Sequence, residues 1–469
     1  MKKLFGTDGM RGLAGEFPLD APTVWTVGHS LARHLATRRA GIGATHLVVG
    51  RDTRESGAWM EAALIEGARA AGARCESAGV ITTPGVAFLA RTLPADAGVV
   101  ISASHNPYAD NGIKVFAPDG RKLDEHTERL IEADIHARRG MNADSTPNRA
   151  ASHTDAHEPS ATSGHGDGEH AATLQARYLD YLAEEVADGL RLDGLSIVVD
   201  CANGAASALA PPLFTRLGAH VTARSDSPDG CNINLECGSL YVERLGGAVV
   251  EAGADLGVAF DGDADRALFV DADGQVVDGD ATLWVMANHL AARGELAGQA
   301  VVATVMSNLG LELALKSRGI ELRRADVGDK YVLEELLRVE ASLGGEQSGH
   351  IIFPRLSLAG DGMLTTLLLL RALRETGQTL ASLATGFVRY PQVLVNACVR
   401  EKRPFADVPE IAEHARRTEA ELGANGRLLL RYSGTEPLAR VMIEGQNQNE
   451  IERMAHDLAS VIRGALGGA

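Results

Sequence analysis

Aromatic residues are scarce in this 469-residue chain, 4% of the total, so aliphatic side chains and alanine must fill its cores. Basic residues are also in deficit: 45 Lys and Arg stand against 62 Asp and Glu, a net charge of −17. Such a chain repels a phosphate backbone, which excludes nucleic-acid binding through a basic face. The five cysteines, Cys75, Cys201, Cys231, Cys237 and Cys398, contain no CxxC pair, so neither a zinc site nor a disulfide framework is expected. No run approaches the ~18 apolar residues of a membrane span. Lys2 and Lys3 are followed by Gly6-Thr7-Asp8-Gly9 where a signal peptide would need an apolar core, so a cytoplasmic location is expected. Walker A and GxGxxG patterns are missing too, and with them the usual marks of a nucleotide cofactor.

Three stretches share one plan. Leu47-Val48-Val49-Gly50 runs into a helix from about Ala58, Ile197-Val198-Val199-Asp200 into a helix towards Leu217, and Val301 to Val305 into a helix after Gly310. An apolar strand, a polar turn and an amphipathic helix, repeated, predict α/β units with largely parallel strands. The end of the chain differs: a polar helix from Glu410 to Leu422, strands around Leu428-Leu430 and Ala439-Ile443, and a helix after Gln448 predict a small α+β domain beginning near Tyr390-Pro391. Residues 140–172 hold almost no large apolar side chain and read as a mobile insertion or linker. The expected domains are therefore 1–175, 176–276, 277–388 and 389–469. His153, His157, His165 and His170 in the insertion read as members of a solvated loop rather than a metal site.

Four constellations carry chemistry. Ser104, in Ser102-Ala103-Ser104-His105-Asn106-Pro107, follows a predicted strand, at the sheet edge where α/β proteins bind ligands. A serine there is suited to nucleophilic attack or to carrying a phosphoryl group, though Ser-His-Asn-Pro alone is equally a turn. Asp261, Asp263 and Asp265 can converge only if the chain curls, and a hard cation such as Mg²⁺ would relieve their repulsion. A calcium loop needs Gly and Glu where this chain has Arg266 and Ala272, so it is excluded. Asp271-Ala272-Asp273-Gly274 reads as a hairpin turn. Gly344-Gly345-Glu346-Gln347-Ser348-Gly349-His350 can approach a polyhydroxyl ligand or be a plain polar loop. Arg431-Tyr432-Ser433-Gly434-Thr435-Glu436-Pro437 can hold an anion or close a hairpin.

Together with Phe5-Gly6-Thr7-Asp8-Gly9-Met10-Arg11-Gly12 and Asp110-Asn111-Gly112-Ile113-Lys114, these motifs in this order resemble the α-D-phosphohexomutase superfamily. The resemblance spans the chain apart from 140–172. It implies three related α/β domains with mixed sheets and a C-terminal α+β domain around a central cleft. It implies Ser104 as phosphoserine, with Asp261, Asp263 and Asp265 completing an Mg²⁺ site, and a hexose or hexosamine 1,6-bisphosphate as activator. Arg11, Lys114 and His350 match catalytic positions around the transferring group. Asp329, Glu346 and Ser348 match sugar contacts, and Arg431, Ser433, Gly434 and Thr435 match the clamp on the substrate's other phosphate. Gln347 and the Arg431 ending point within the superfamily to glucosamine 6-phosphate and 1-phosphate, and so to amino-sugar nucleotide and cell-wall precursor synthesis. Phosphomannomutase or phosphoglucomutase activity is the near alternative; a metal-dependent phosphatase or a sugar-phosphate sensor is more distant. The expected partner is a sugar phosphate, with no nucleic acid or membrane, and a homodimer stays open. Relatives often carry Thr-His after Cys237-Gly238-Ser239, where this chain has Leu240-Tyr241.

Overall fold

The computed structural model describes residues 3–6, 8–38, 43–144, 165–433 and 436–467, whose strands gather in four sheets. The first comprises β1 (Phe5–Gly6), β2 (Gly9–Leu13), β3 (His46–Arg51), β4 (Arg74–Val80), β5 (Ala97–Ile101) and β6 (Asp110–Phe116) in the order β1-β2-β6-β5-β3-β4. The second holds β7 (Ser196–Asp200), β8 (His220–Arg224), β9 (Leu256–Phe260), β10 (Ala267–Asp271) and β11 (Val276–Val277) in the order β11-β10-β9-β7-β8. The third, β12 (Ala300–Thr304), β13 (Glu321–Ala325), β14 (Gly344–Gly345) and β15 (Ile351–Ile352), runs β13-β12-β14-β15. The fourth, β16 (Gln392–Cys398), β17 (Gly426–Tyr432) and β18 (Leu438–Gly445), is antiparallel throughout.

A shared plan underlies the first three sheets. Each has a parallel triad with its earliest strand in the middle: β4-β3-β5, β8-β7-β9 and β13-β12-β14. In each, the last strand of the triad turns back into an antiparallel neighbour, β6, β10 or β15. The central strands β9 and β12 are buried along their whole length, which explains their unbroken apolar sequences. The sheets are thus mixed, parallel at the centre and antiparallel at one side.

One continuous apolar core joins these three units, running from Val48 and Phe88 through Tyr178 and Leu182 to Phe260 and Leu367. The fourth sheet has a core of its own around Val441, Ile451 and Leu458. Three aromatics meet at the junction, where Phe88 stacks on Tyr181 at 4.5 Å and meets Tyr178 at 5.7 Å. Both tyrosines sit on the segment formed by the helix His165–Asp180 and the π turn Tyr181–Val186.

That segment corrects part of the reading of 140–172 as an insertion. Helix Glu125–Asp144 continues past Gly140, and residues 165–172 open the next helix, whose His170 ring meets Glu76 at 2.8 Å. His153 and His157 lie outside the described residues. The C-terminal unit also contains β16, a strand not expected from the sequence and paired antiparallel with β18.

Tyr178 donates its hydroxyl to Asp361, at 2.8 Å, and Asp361 caps the helix Gly362–Thr376 by accepting from Leu364 N–H. Burial raises the Asp361 pKa from 3.8 to about 6, against the pull of these hydrogen bonds. Between about pH 4 and 6 the folded protein therefore holds a proton that the unfolded chain has lost. Stability contributed by the neutral acid is lost as pH rises through that window, by at most about 3 kcal/mol. Denaturation midpoints measured from pH 4 to 7 should fall more steeply with pH for the native sequence than for Asp361→Asn.

Candidate active site

The repeated plan places three of the four chemical loops at one topological position. Ser104 lies between β5 and β6, the three aspartates between β9 and β10, and Glu346 to His350 between β14 and β15. Each loop reverses direction through a residue of positive φ: Ser104 at 51°, Ala264 at 55° and Gly349 at 90°. At Ala264 this is the curl that brings alternate aspartates together, with ligand oxygens of Asp261, Asp263 and Asp265 all within 4.8 Å of one another.

Ser104 is buried, and its hydroxyl donates to Asp261 Oδ2 at 2.5 Å. His105 Nδ1 lies within hydrogen-bond reach of the same hydroxyl, 3.3 Å away. Two buried groups clamp the loop's backbone. Arg54 donates to the carbonyls of Ser104 at 3.1 Å, Asn106 at 3.0 Å and Pro107 at 2.8 Å, and pairs with Asp52 at 3.0 Å. Asn234, from the second unit, donates to the same Ser104 and Asn106 carbonyls at 2.8 and 3.0 Å. Gly262 permits this docking, since a Cβ there would lie 2.6 Å from the Ser104 carbonyl oxygen.

Lys114 is buried beside the aspartates, with Nζ 2.9 Å from Asp263 Oδ2, 3.3 Å from Asp265 Oδ2 and 3.3 Å from Asp8. Burial opposes its charge, but Asp263, Asp8 and Asp265 raise its pKa well above the ordinary value. Arg11 pairs with Asp8. Burial, then the neighbouring Asp265 and Asp263, push the Asp261 carboxyl well above the usual carboxylate range. Asp265 is also raised by burial, yet Lys114, His350 and Arg266 outweigh that and hold it well below. Repulsion thus falls mainly on Asp261, the carboxylate with no lysine partner among the described residues. Oδ1 of Asp263 and of Asp265 is buried without a hydrogen-bond donor. Hard oxygen donors left open in this way fit a divalent cation.

His350 is buried between Asp265, 3.6 Å from Nδ1, and Asp329, 3.9 Å from Nε2. Burial pulls its pKa down, but Asp265, Asp329 and Glu346 together bring it up to about 9. Gly360 N–H, 3.1 Å from Nε2, works against that protonation. In either state Nδ1 carries a proton towards Asp265.

Glu346 is steadied by Gly328 N–H at 3.1 Å from Oε1, and Ser348 Oγ is buried without a partner among the described residues. Asp329, expected at the sugar, is bridged to Lys122 at 2.7 Å. Gln347 reaches Asp278 at 3.4 Å.

Arg431 and Ser433 lie apart, at the end of β17. Arg431 pairs in register with Arg440, whose guanidinium reaches Ser433 Oγ at 3.5 Å. Lys402 donates to the Ser433 carbonyl at 2.5 Å. Burial and Arg440 lower the Arg431 pKa, marking a gathering of cations. Gly434 and Thr435 lie outside the described residues. Among the described residues, no hydrogen bond or ion pair joins this hairpin to the Ser104 loop. Leu240 and Tyr241 sit in a short surface turn, 53% and 38% exposed.

Sequence reasoning missed Arg54, Lys122, Asn234 and Arg440, and gave Asp8 and His105 no role. Asp8 and His105 stood inside recognised motifs. The others carry no local signal: Arg54, Lys122 and Asn234 act on loops remote in sequence, and Arg440 becomes a neighbour of Arg431 only through strand pairing. Replacing Arg54 by Met would remove three hydrogen bonds to loop carbonyls and leave Asp52 buried without its cation. The expected cost is about 3–5 kcal/mol, read as a lowered urea midpoint.

Sequence profiles of the phosphoglucomutase/phosphomannomutase family match the chain in four parts: alpha/beta/alpha domain I at 2–140, domain II at 176–274, domain III at 278–390 and the C-terminal domain at 394–461. A phosphoglucosamine mutase from Solibacter usitatus (strain Ellin6076) is 48% identical over 466 residues, covering 99% of each chain. A solved phosphoglucomutase/phosphomannomutase family protein from Burkholderia thailandensis shares the fold with a TM-score of 0.77 at 24% identity, covering 100% of this chain and 98% of its own. N-acetylphosphoglucosamine mutase from Aspergillus fumigatus, solved with GlcNAc-6P and magnesium, superposes with a TM-score of 0.63 at 19% identity over 99% of this chain and 96% of its own.

Proposed function

Since this chain belongs to the phosphoglucomutase/phosphomannomutase family, we infer that it is an enzyme interconverting glucosamine 6-phosphate and glucosamine 1-phosphate, with Ser104 as the phosphoryl carrier. The observation that carries this reading is the burial of the Ser104 hydroxyl against Asp261, 2.5 Å away, within a carboxylate cluster that Lys114 also enters. Near-full-length identity to a phosphoglucosamine mutase favours glucosamine over mannose or glucose. No helix among the described residues is long and apolar enough to cross a membrane. We place the enzyme in the cytoplasm and its domain boundaries at 175/176, 276/277 and 388/389; the four sheets support a division into four, with the helix His165–Asp180 and β11 lying across the first two boundaries.

The cycle begins with phospho-Ser104. The phosphorus–Oγ bond breaks as the free sugar hydroxyl bonds to phosphorus, and that hydroxyl's proton leaves to the surrounding basic groups. The 1,6-bisphosphate formed then reorients, and Ser104 Oγ, giving up its proton, attacks the other phosphoryl group; the bond from that phosphorus to the carbon-6 oxygen breaks, and the oxygen takes up a proton as glucosamine 1-phosphate leaves. The serine proton has two groups in reach, Asp261 Oδ2 at 2.5 Å and His105 Nδ1 at 3.3 Å. Lys114 and Arg11 stabilise the charge of the transferring group. Phosphoryl transfer asks mainly for positioning and charge stabilisation, which these residues supply. Asp261, Asp263 and Asp265 would hold Mg²⁺, whose Lewis acidity strengthens that stabilisation when it is bound. Glu346 and Ser348 would read the sugar hydroxyls. Arg431, Ser433, Gly434 and Thr435, with Arg440 beside them, would grip the phosphate not being transferred. A hexose or hexosamine 1,6-bisphosphate would recharge a serine that has lost its group.

Two measurements check this. Calorimetric Mg²⁺ titration should show at least about tenfold weaker binding for Asp263→Asn than for the native protein. Peptide mass analysis should find one phosphoryl group on Ser104 that exchanges with glucosamine 6-phosphate. Ser104→Ala should lose at least about 10³-fold in turnover; retention of native turnover would refute the carrier role.

A further inference from the structure

Lys122 belongs to none of the recognised motifs, yet it joins two of the three α/β units. It follows β6, where its backbone bridges to Phe116, and its ammonium lies 2.8 Å from Asp8 Oδ1 and 2.7 Å from Asp329 Oδ2. From these two contacts a closed circuit of acidic and basic groups can be traced. Asp8 meets Lys114 at 3.3 Å, Lys114 meets Asp265 at 3.3 Å, and Asp265 meets His350 at 3.6 Å. His350 meets Asp329 at 3.9 Å, and Lys122 returns the circuit to Asp8. Asp8, Lys114 and Lys122 come from the first unit, Asp265 from the second, and His350 and Asp329 from the third. The circuit therefore crosses each seam between units once.

Beside Lys122, packing at the seam between the first and third units is interrupted. A cavity of about 320 Å³ lies there, lined by Lys122, Leu123, Leu333, Leu337 and Ile352 among others. What crosses the gap is ionic: Lys122 to Asp329, and Lys330 to Glu125 at 2.6 Å. A loose seam lets loops shift by fractions of an ångström unless polar contacts register them, and phosphoryl transfer is sensitive to such shifts.

We propose that Lys122 is a positioning residue for phosphoryl transfer, closing an ionic circuit that keeps Lys114 and His350 in register with the Ser104 loop. This rests on the mutase reading above. Lys122 acts from outside the reacting atoms: one hand holds Asp8, the partner of Arg11 and Lys114, and the other holds Asp329, which flanks His350. Burial opposes its charge, but Asp329 and Asp8 outweigh that, so the ammonium persists. Without it, Asp8 would keep Lys114 and Arg11 and Asp329 would keep His350, but no cation would tie the two carboxylates of different units to each other.

The test is steady-state kinetics on the full-length enzyme with Mg²⁺, glucosamine 6-phosphate and a hexose 1,6-bisphosphate, for Lys122→Met, Lys122→Arg, Asp329→Asn and the Met/Asn double variant. Lys122→Met should lower kcat by about 10–100-fold while KM stays within about threefold. Lys122→Arg, keeping the charge, should recover most of the loss. The double variant should fall no further than the worse single one, because both interrupt one circuit. Native kcat in Lys122→Met, a change in KM alone, or additive losses in the double variant would each overturn the proposal. If Lys122→Met fails to fold, Lys122→Gln replaces it in the same comparison. Phosphoryl exchange at Ser104 in the native enzyme is followed in parallel and fails only if the mutase reading itself is wrong.

Discussion

Three carboxylates buried within one small space are the constraint on which the rest of the structure depends. Asp261, Asp263 and Asp265 cannot all be ionised in an apolar interior unless positive charge surrounds them. The fold answers by drawing cations from other units towards them: Lys114 from the first, His350 from the third, and Arg266 from the same loop. Asp261 is left with a hydroxyl rather than a lysine, and that hydroxyl is Ser104. The electrostatic problem and the chemistry thus share one solution. Groups that make the cluster tolerable are also the groups that surround the proposed phosphoryl carrier.

Such a convergence is possible because three units reuse one topology. In each, the chemical loop links the last parallel strand to its antiparallel neighbour, so each unit presents its loop from the same place on its sheet. A shared apolar core, with Tyr178 and Tyr181 at its junction, holds the three units together. Precision at the loop tips comes from polar devices instead. Arg54 and Asn234 grip the same carbonyl of Ser104 from two units, and Gly262 gives up a side chain so that the loops can touch. Hydrophobic burial is strong but has no direction, whereas a buried carbonyl with two donors has one allowed place.

The fourth unit stands on different terms. It has an all-antiparallel sheet and a separate core, and its cationic hairpin is built from Arg431, Arg440 and Lys402 around Ser433. Arg431 stood out in the sequence because it sits in a dense motif. Arg440 did not, because it comes from the opposite strand and becomes a neighbour only through the pairing of β17 with β18.

What the sequence determined by itself was everything encoded in local order. Apolar runs of strand length, turn residues after them, alternating aspartates and a serine beyond a strand are all short-range patterns, and each appears in the structure where the pattern put it. The helices reaching into 140–172 were misread because their exposed polar faces resemble a linker when no partner surface is in view. Only the tertiary structure decided which cation serves which carboxylate. Arg54, Lys122 and Asn234 lie 50, 207 and 130 positions from Ser104, Asp329 and Ser104 respectively; the first contact exists only once the first sheet has formed, and the other two only after the units have docked. Charge pairing acts through space with no periodicity along the chain, so no spacing in the sequence can announce it.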